Sequence, residues 1–302
     1  MSTREVAGVE VDLSPSRVAL YGVLAAMVAF YLAPLESGLM TALKTNDAFF
    51  GSSPFAPPAP AGFTLAPLFE AWARLQGPLT NLNGALVNSL FMAVPATVLS
   101  AFLGSVAAYG LTNLEWRGQT AVLFLFVAGM FVPYQSVLVP LTRFWSVVGL
   151  PGLLAGVPLL ADRAGLVALT VTHTAYGIPI CTVLFRAYYA TLDESMLEAA
   201  RLDGASAAGV YTKIVLPLSV PIFAVTLIYQ FTQIWNDLLF ALVLVSQPSN
   251  EVVTIALNKL QGSMVSQFNL QMAGAFVAAL PTLVVYVLFG EQFAKGVAGE
   301  TQ

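Results

Sequence analysis

Apolar residues run along this chain in six long stretches, about 18–43, 85–111, 119–141, 164–186, 218–245 and 271–292, parted by shorter polar segments. Each stretch is long enough for a helix to cross a hydrocarbon layer of roughly 30 Å, which takes about 20 residues. Lipid offers no water to loose N–H and C=O groups, so a helix that satisfies them internally is the expected form. The pattern therefore predicts an all-α membrane protein with about six transmembrane helices. Pro34 and Glu36 interrupt the first stretch and leave its outer end open. Apart from Glu36, nearly all charges fall between the stretches or at their rims.

The connections differ in character. Residues 44–84 contain Ser53-Pro54-Phe55-Ala56-Pro57-Pro58-Ala59-Pro60, which cannot be membrane helix and reads as an aqueous loop. Segment 187–216 is moderately charged and helix-prone, while 142–163 and 246–270 are mixed and expected to be partly helical at the interface. Lys and Arg favour the cytoplasmic side of a membrane. With the N-terminus inside, the inner segments hold Arg4, Arg17, Arg117, Arg186, Arg201, Lys213 and Lys295, and the outer ones Lys44, Arg74, Arg143, Arg163 and Lys259. The expected organisation is a cytoplasmic N-terminus (1–17), a first transmembrane helix (18–43), an external loop (44–84), a transmembrane domain (85–292) containing the inner segment 187–216, and a cytoplasmic tail (293–302).

Several stretches are patterned to meet other helices. Ala96, Ser100, Gly104 and Ala108 recur every four residues and share one face, and Gly274 and Ala278 repeat the spacing. Small residues let helix backbones approach closely. Pro133, Pro179 and Pro281 lie mid-stretch and are expected to kink their helices.

Composition agrees with a lipid solvent. Of 302 residues, 58% are hydrophobic and 9% charged, against about 25% charged in an ordinary soluble domain. A net charge of −4 offers no basic footprint for nucleic acid. The single cysteine, Cys181, allows no intrachain disulfide or thiolate cluster and reads as a packed small hydrophobe. The N-terminal residues carry Glu5, Glu10 and Asp12 and no basic patch, so the first apolar run reads as an anchor that stays rather than a cleaved signal.

Segment 187–216 carries the most specific pattern. Thr191 followed by Glu194 fits a capping box, and a short helix to about Leu202 follows. Gly204 can take the left-handed conformation that ends it, and Ser206 can cap a second short helix through Lys213 and Ile214. Pro217 and Pro221 then open the next span. The result is helix, sharp turn, helix: a knob with a small surface at Ala199 and Ala200, and polar contacts from Glu198, Arg201 and Asp203. The same pattern suits an amphipathic loop lying on the membrane.

The run Glu198-Ala199-Ala200, then Asp203-Gly204-Ala205, then Ile214-Val215-Leu216-Pro217-Leu218 with Pro221 closely resembles the "EAA" motif of ABC importer permeases. Residues 63–89, ending in Asn88-Ser89, resemble the start of the transport domain in maltose-type sugar permeases. Gln233-Ile234-Trp235-Asn236-Asp237 is similar to that group's tryptophan-polar stretch, and Ala278-Ala279-Leu280-Pro281 with residues 293–296 to its final helix. The ending Ala298-Gly299-Glu300-Thr301-Gln302 departs from the group's glycine-rich tail. The resemblance implies the type I permease fold of ABC importers, with a cytoplasmic coupling helix that docks in a cleft of an ATPase subunit. Glu198, Ala199, Ala200, Asp203, Gly204, Ile214, Leu216 and Pro217 are then the coupling positions. It also implies a prokaryotic plasma-membrane location, a second permease subunit forming a heterodimer, two ATPase subunits binding ATP and Mg, and an extracytoplasmic solute-binding protein. The implied cargo is a sugar or oligosaccharide.

No Gly-x-x-x-x-Gly-Lys-Ser/Thr loop, Gly-x-Ser-x-Gly, His-Glu-x-x-His or paired Cys-x-x-Cys occurs, so no catalytic residue, metal ligand set or cofactor is assigned to this chain. His173, flanked by Thr170, Thr172 and Thr174, reads either as a neutral histidine in an interhelical network or as a substrate or proton group. Gln230, Gln233, Trp235, Asn236 and Asp237 are candidates for the substrate pathway, since amides can bond sugar hydroxyls and an aromatic face can pack on a sugar ring. They can equally join helices. An ion-gradient transporter and a non-transporting membrane scaffold are the alternative readings.

Overall fold

The computed structural model describes residues 3–6, 9–12, 14–78, 80–263 and 267–298; side chains are described outside 3–12, 261–263 and 294–298. Of the expected tail, residues 299–302 lie outside the described part. The chain divides into two compact units. The first comprises residues 1–72 and 260–277, the second residues 73–259 and 278–302.

In the first unit, short strands β1 (Thr3–Val6) and β2 (Val9–Asp12) pair antiparallel, with Arg4 opposite Val11. The helical pattern did not predict this hairpin. Helix α1 (Pro15–Ala42) then runs without a break through Pro34 and past Glu36, where an interruption was expected. Pro34 removes one backbone donor, and spanning helices tolerate such a loss. Only Gly38, Thr41 and Ala42 of α1 are buried, and Gly38 meets Met272 and Phe276. The remaining apolar surface of α1 suits lipid. The following loop folds locally. Helix α2 (Asn46–Phe50) is capped by Thr45, the chain turns at Pro60–Gly62, and α3 (Ala66–Leu75) follows. Lys44 is fully buried there and donates to the Ser53 carbonyl at 2.8 Å.

The second unit is built on α4 (Ala85–Thr112) and α9 (Ala164–Tyr189). The four-residue spacing on α4 works as expected: Ala96, Ser100, Gly104 and Ala108 are all buried. A methyl group on Gly104 would stand 2.4 Å from Cys181 Cβ and 3.0 Å from the Cys181 carbonyl carbon, so the two backbones meet where only glycine fits. On its other side α4 exposes Leu90, Val94, Val98, Leu99, Phe102, Leu103 and Val106, all apolar.

Two expected spans are broken. The stretch 119–141 is two helices, α5 (Gln119–Met130) and α6 (Tyr134–Val148), parted at 131–133. Pro133 lacks an N–H and disfavours helical backbone at Val132, so it stops the helix here rather than kinking it. Pro179 and Pro281 sit inside continuous helices. Short helices α7 (Leu150–Leu153) and α8 (Pro158–Ala161) lead to α9, as the mixed character of 142–163 suggested.

Beyond the inner segment, the stretch 218–245 is also two helices, α13 (Val220–Trp235) and α14 (Leu239–Leu244). Asp237 makes this corner, its carboxylate accepting the Phe240 N–H at 3.1 Å. Helix α15 (Val253–Ser263) and the long α16 (Phe268–Ala298) complete the chain. Among the described residues five helices are long and apolar enough to cross a membrane, or six if the bent pair 207–218 and 220–235 is one span.

Replacing Gly104 by leucine is expected to destabilise the protein by about 1–3 kcal/mol, the usual cost of overpacking. The measurement is the thermal unfolding midpoint in detergent, with Gly110→Leu, which meets no neighbour within 4 Å, as the control.

Candidate functional site: an inner knob and an intramembrane polar stripe

Segment 187–216 forms helix, turn and helix. Helix α10 (Glu194–Leu202) is capped by Asp193, whose carboxylate accepts the Ser195 N–H at 2.9 Å and its hydroxyl at 2.8 Å. These bonds hold the Asp193 carboxyl below its ordinary range. The cap is therefore lost only as pH falls through that lowered value. Thr191, expected as the cap, instead donates its hydroxyl to the Tyr188 carbonyl. A carboxylate two residues nearer the helix satisfies the orphan N–H groups more directly.

Gly204 has φ +85°, the left-handed turn expected of it. Ser206 caps α11 (Ala207–Val210) by accepting from the Gly209 N–H. A π-helical turn (Tyr211–Val215) and α12 (Leu216–Leu218) continue to Ser219, where the chain bends by 75° into α13. Pro217 and Pro221 flank that bend, both near helix starts.

One face of α10 is anchored. Leu197 is buried with Tyr189, Val210, Tyr211 and Val215. The Ser105 hydroxyl lies 2.6 Å from the Tyr189 hydroxyl and 2.8 Å from that of Tyr211, and Tyr109 donates to the Ala207 carbonyl. Arg201 donates to the Asn113 carbonyl at 2.6 Å. The opposite face is bare. Ser195, Glu198, Ala199, Leu202, Asp203 and Gly204 are exposed, and Leu202 stands 88% exposed. Ala200, Ile214 and Leu216 are half-buried, and Pro217 is exposed. A cavity of about 460 Å³ lies behind the knob, lined by Thr112, Glu115, Leu192, Glu194 and Arg201 among others.

The pathway candidates separate into two groups. Gln230, Trp235 and Asp237 are buried. Gln230 packs where a methyl group on Gly177 would sit 2.1 Å from its Nε2, and the Trp235 indole donates to the Ala278 carbonyl at 3.0 Å. Asp237 lies 3.4 Å from His173 Nε2. Gln233 and Asn236 are exposed, together with Tyr229 and Thr232. These four occur at i, i+3, i+4 and i+7 and so share one helix face. Gln233 donates to the Tyr229 hydroxyl at 3.1 Å and Asn236 to the Thr232 carbonyl at 2.8 Å. Apart from Val220 at its start, they are the exposed residues of α13 and its cap. Tyr229 and Thr232 were not singled out from the sequence, although the spacing that unites them with Gln233 and Asn236 is visible there.

At the end of α4 away from the knob, Asn88 donates to the carbonyls of Ser249 and Glu251, both at 2.9 Å, and Ser89 accepts the Val253 N–H at 2.7 Å. Asn250 donates to the Asp162 carbonyl, and Arg163 to Asn83.

Comparison with known proteins identifies this arrangement. Residues 100–295 match the family described as binding-protein-dependent transport system inner membrane component. The chain is 47% identical over 305 residues to the xylose/arabinose import permease XacI of Haloferax volcanii, covering 98% of this chain and 96% of the relative. It is 30% identical to the glucose import permease GlcU of Saccharolobus solfataricus, covering 91% of each chain. Its fold matches a chain of a bacterial ABC transporter involved in alginate import, with a TM-score of 0.67, 18% identity, and 91% and 95% of the two chains covered. The protein belongs to the binding-protein-dependent transport family: it is a multi-pass permease subunit of an ABC importer, and not itself an enzyme.

Tyr211→Phe, which removes one hydroxyl partner of Ser105, is expected to cost about 1 kcal/mol. Hydrogen exchange of the amides in 194–215 is the measurement, and faster exchange there than in α4 is the expected outcome.

Proposed function

We infer that this permease carries a sugar, and that xylose and arabinose are the first candidates. The observation that carries this reading is the polar stripe on α13. The interior exposed residues of α4 are all apolar, as lipid demands, whereas those of α13 are Tyr229, Thr232, Gln233 and Asn236. Exposed amides and hydroxyls are costly in hydrocarbon. This face therefore meets water or another polar surface, which in a two-permease importer is the translocation pathway. Amide and hydroxyl groups on one side of an aromatic ring suit a hydroxyl-rich solute, and the 47% identity to a pentose permease supports that class. Gln230, Trp235 and Asp237 act behind the stripe, holding α13 to its neighbours.

The bare face of α10 docks on an ATPase subunit. Ser195 and Ala199 let a partner surface approach, Leu202 offers an apolar anchor, and Glu198 and Asp203 fix orientation. Leu202 stands 88% exposed on this face, so its whole side chain is open to a partner. Ile214, Leu216 and Pro217 carry displacement of the knob into α13. The full importer comprises this chain, a second permease, two ATPase subunits that bind ATP and Mg, and an external binding protein that meets the surface formed by residues 246–253. The N-terminus and the knob then lie on the cytoplasmic side, and 44–84 outside.

Glu198→Lys and Leu202→Asp are expected to abolish co-purification of the ATPase subunits with the tagged permease while leaving its own thermal midpoint unchanged. Gln233→Leu and Asn236→Leu are expected to keep the assembled complex and to lower xylose uptake by about tenfold each, the equivalent of about 1.4 kcal/mol. Undiminished uptake by the double variant would remove the stripe from the pathway.

A further inference from the structure

Helices α9 and α13 form a hairpin whose tip is the knob, because the knob occupies the chain between them. The hairpin is joined at four levels. Nearest the tip, the Tyr188 hydroxyl donates to the Leu218 carbonyl at 2.7 Å. Next, the rings of Phe185 and Phe223 lie 4.5 Å apart. Then Gln230 fills the gap beside Gly177. At the far end His173 faces Asp237 at 3.4 Å. His173 stands sixteen residues from Tyr189, about 24 Å along the helix.

This last contact differs in kind from the others. Both side chains are buried, His173 2% and Asp237 9% exposed, and His173 Nε2 has no hydrogen-bond partner elsewhere. A neutral Nε2–H tautomer and an imidazolium can both donate to the carboxylate. Phe240 covers the pair, its ring 5.5 Å from His173, 5.0 Å from Tyr176 and 4.6 Å from Tyr134. Tyr134 of α6 and Tyr176 of α9 also face this enclosure, and Tyr229 of α13 lies close to Tyr134. With water excluded, the contact is stronger than at a surface. Asp237 also shapes the corner: it accepts from the Phe240 N–H, and its carbonyl accepts the Thr254 hydroxyl at 2.8 Å. A buried ion pair is poor evidence of stabilisation for its own sake. Its place at the end of a hairpin opposite the moving tip gives it a different use.

We propose that His173 and Asp237 are positioning residues that clasp the far end of the α9–α13 hairpin, so that movement of the knob turns the corner at 236–240 with it. The hairpin is then a lever, and the clasp transmits ATP-driven displacement to the outer corner. This rests on the importer reading above, and the solute plays no part in the clasp itself.

The test uses the assembled importer in proteoliposomes, with Leu242→Cys as a reporter at the outer corner. Leu242 is 53% exposed, while the native Cys181 is fully buried. In the parent protein, trapping with ATP and vanadate is expected to change the rate at which a water-soluble maleimide labels the reporter. His173→Phe and Asp237→Asn are expected to abolish that change while the ATPase remains bound. They should also raise the ATP consumed per xylose imported by about tenfold, the ratio equivalent to about 1.4 kcal/mol. The exchange variant, His173→Asp with Asp237→His, should restore both readouts, which repair of packing alone would not achieve. Single variants that keep the parent's labelling change and coupling ratio would overturn the clasp. So would a parent protein whose labelling ignores ATP. Normal labelling responses without xylose uptake would uphold the clasp and refute the sugar assignment.

Discussion

The fold depends on the close approach of α4 and α9 at Gly104 and Cys181. Lipid gives helices no hydrophobic reason to associate, so contact must come from packing and from polar groups with no better partner. Where a methyl group would lie 2.4 Å from its neighbour, two backbones run side by side over several turns. That seam places Ser105 and Tyr109 against the inner segment and Ser100 beside Gly177 and Gln230. The knob is thus hung from this closely packed pair of helices. Its outward face stays free because its inward face is already committed.

Polar groups within the spans follow a division of labour. Those that are buried join helices: Trp235 to Ala278, Thr172 to Trp145, His173 to Asp237. On α13 the exposed ones gather on one side and pair among themselves, Gln233 with Tyr229 and Asn236 with Thr232. Each amide keeps further donor or acceptor capacity after its internal bond. A polar molecule meeting this face would find groups already oriented, with part of their entropy loss incurred before it arrives.

Much of this was legible in the sequence. The six apolar stretches, the small-residue face of α4, the left-handed Gly204 and the Ser206 cap all follow from local rules. The breaks at 131–133 and 236–238 did not. Mean apolarity runs straight through both, and whether Pro133 kinks or stops a helix depends on neighbours absent from a local window. Asp193 displaced Thr191 as cap because several residues in Thr191-Leu192-Asp193-Glu194-Ser195 can start a helix. His173 and Asp237 were noticed separately, but nothing in the spacing across 64 positions announces their contact. Tyr229 and Thr232 carry no sequence signal of their own, because an aromatic and a threonine are unexceptional within a membrane span.

Asn88 ties the start of α4 to a distant stretch of the chain. One fully buried amide at the start of α4 reaches carbonyls 161 and 163 residues further along the chain. Ser89 and Asn250 add bonds on either side of it. The stretch 249–253 is thereby fixed as a rigid ledge, although its composition is that of a loop. A protein landing on this ledge would not have to freeze it first, so little ordering entropy would be subtracted from the encounter. Such a surface lets a small area of contact hold a partner that a slack loop of the same composition would lose.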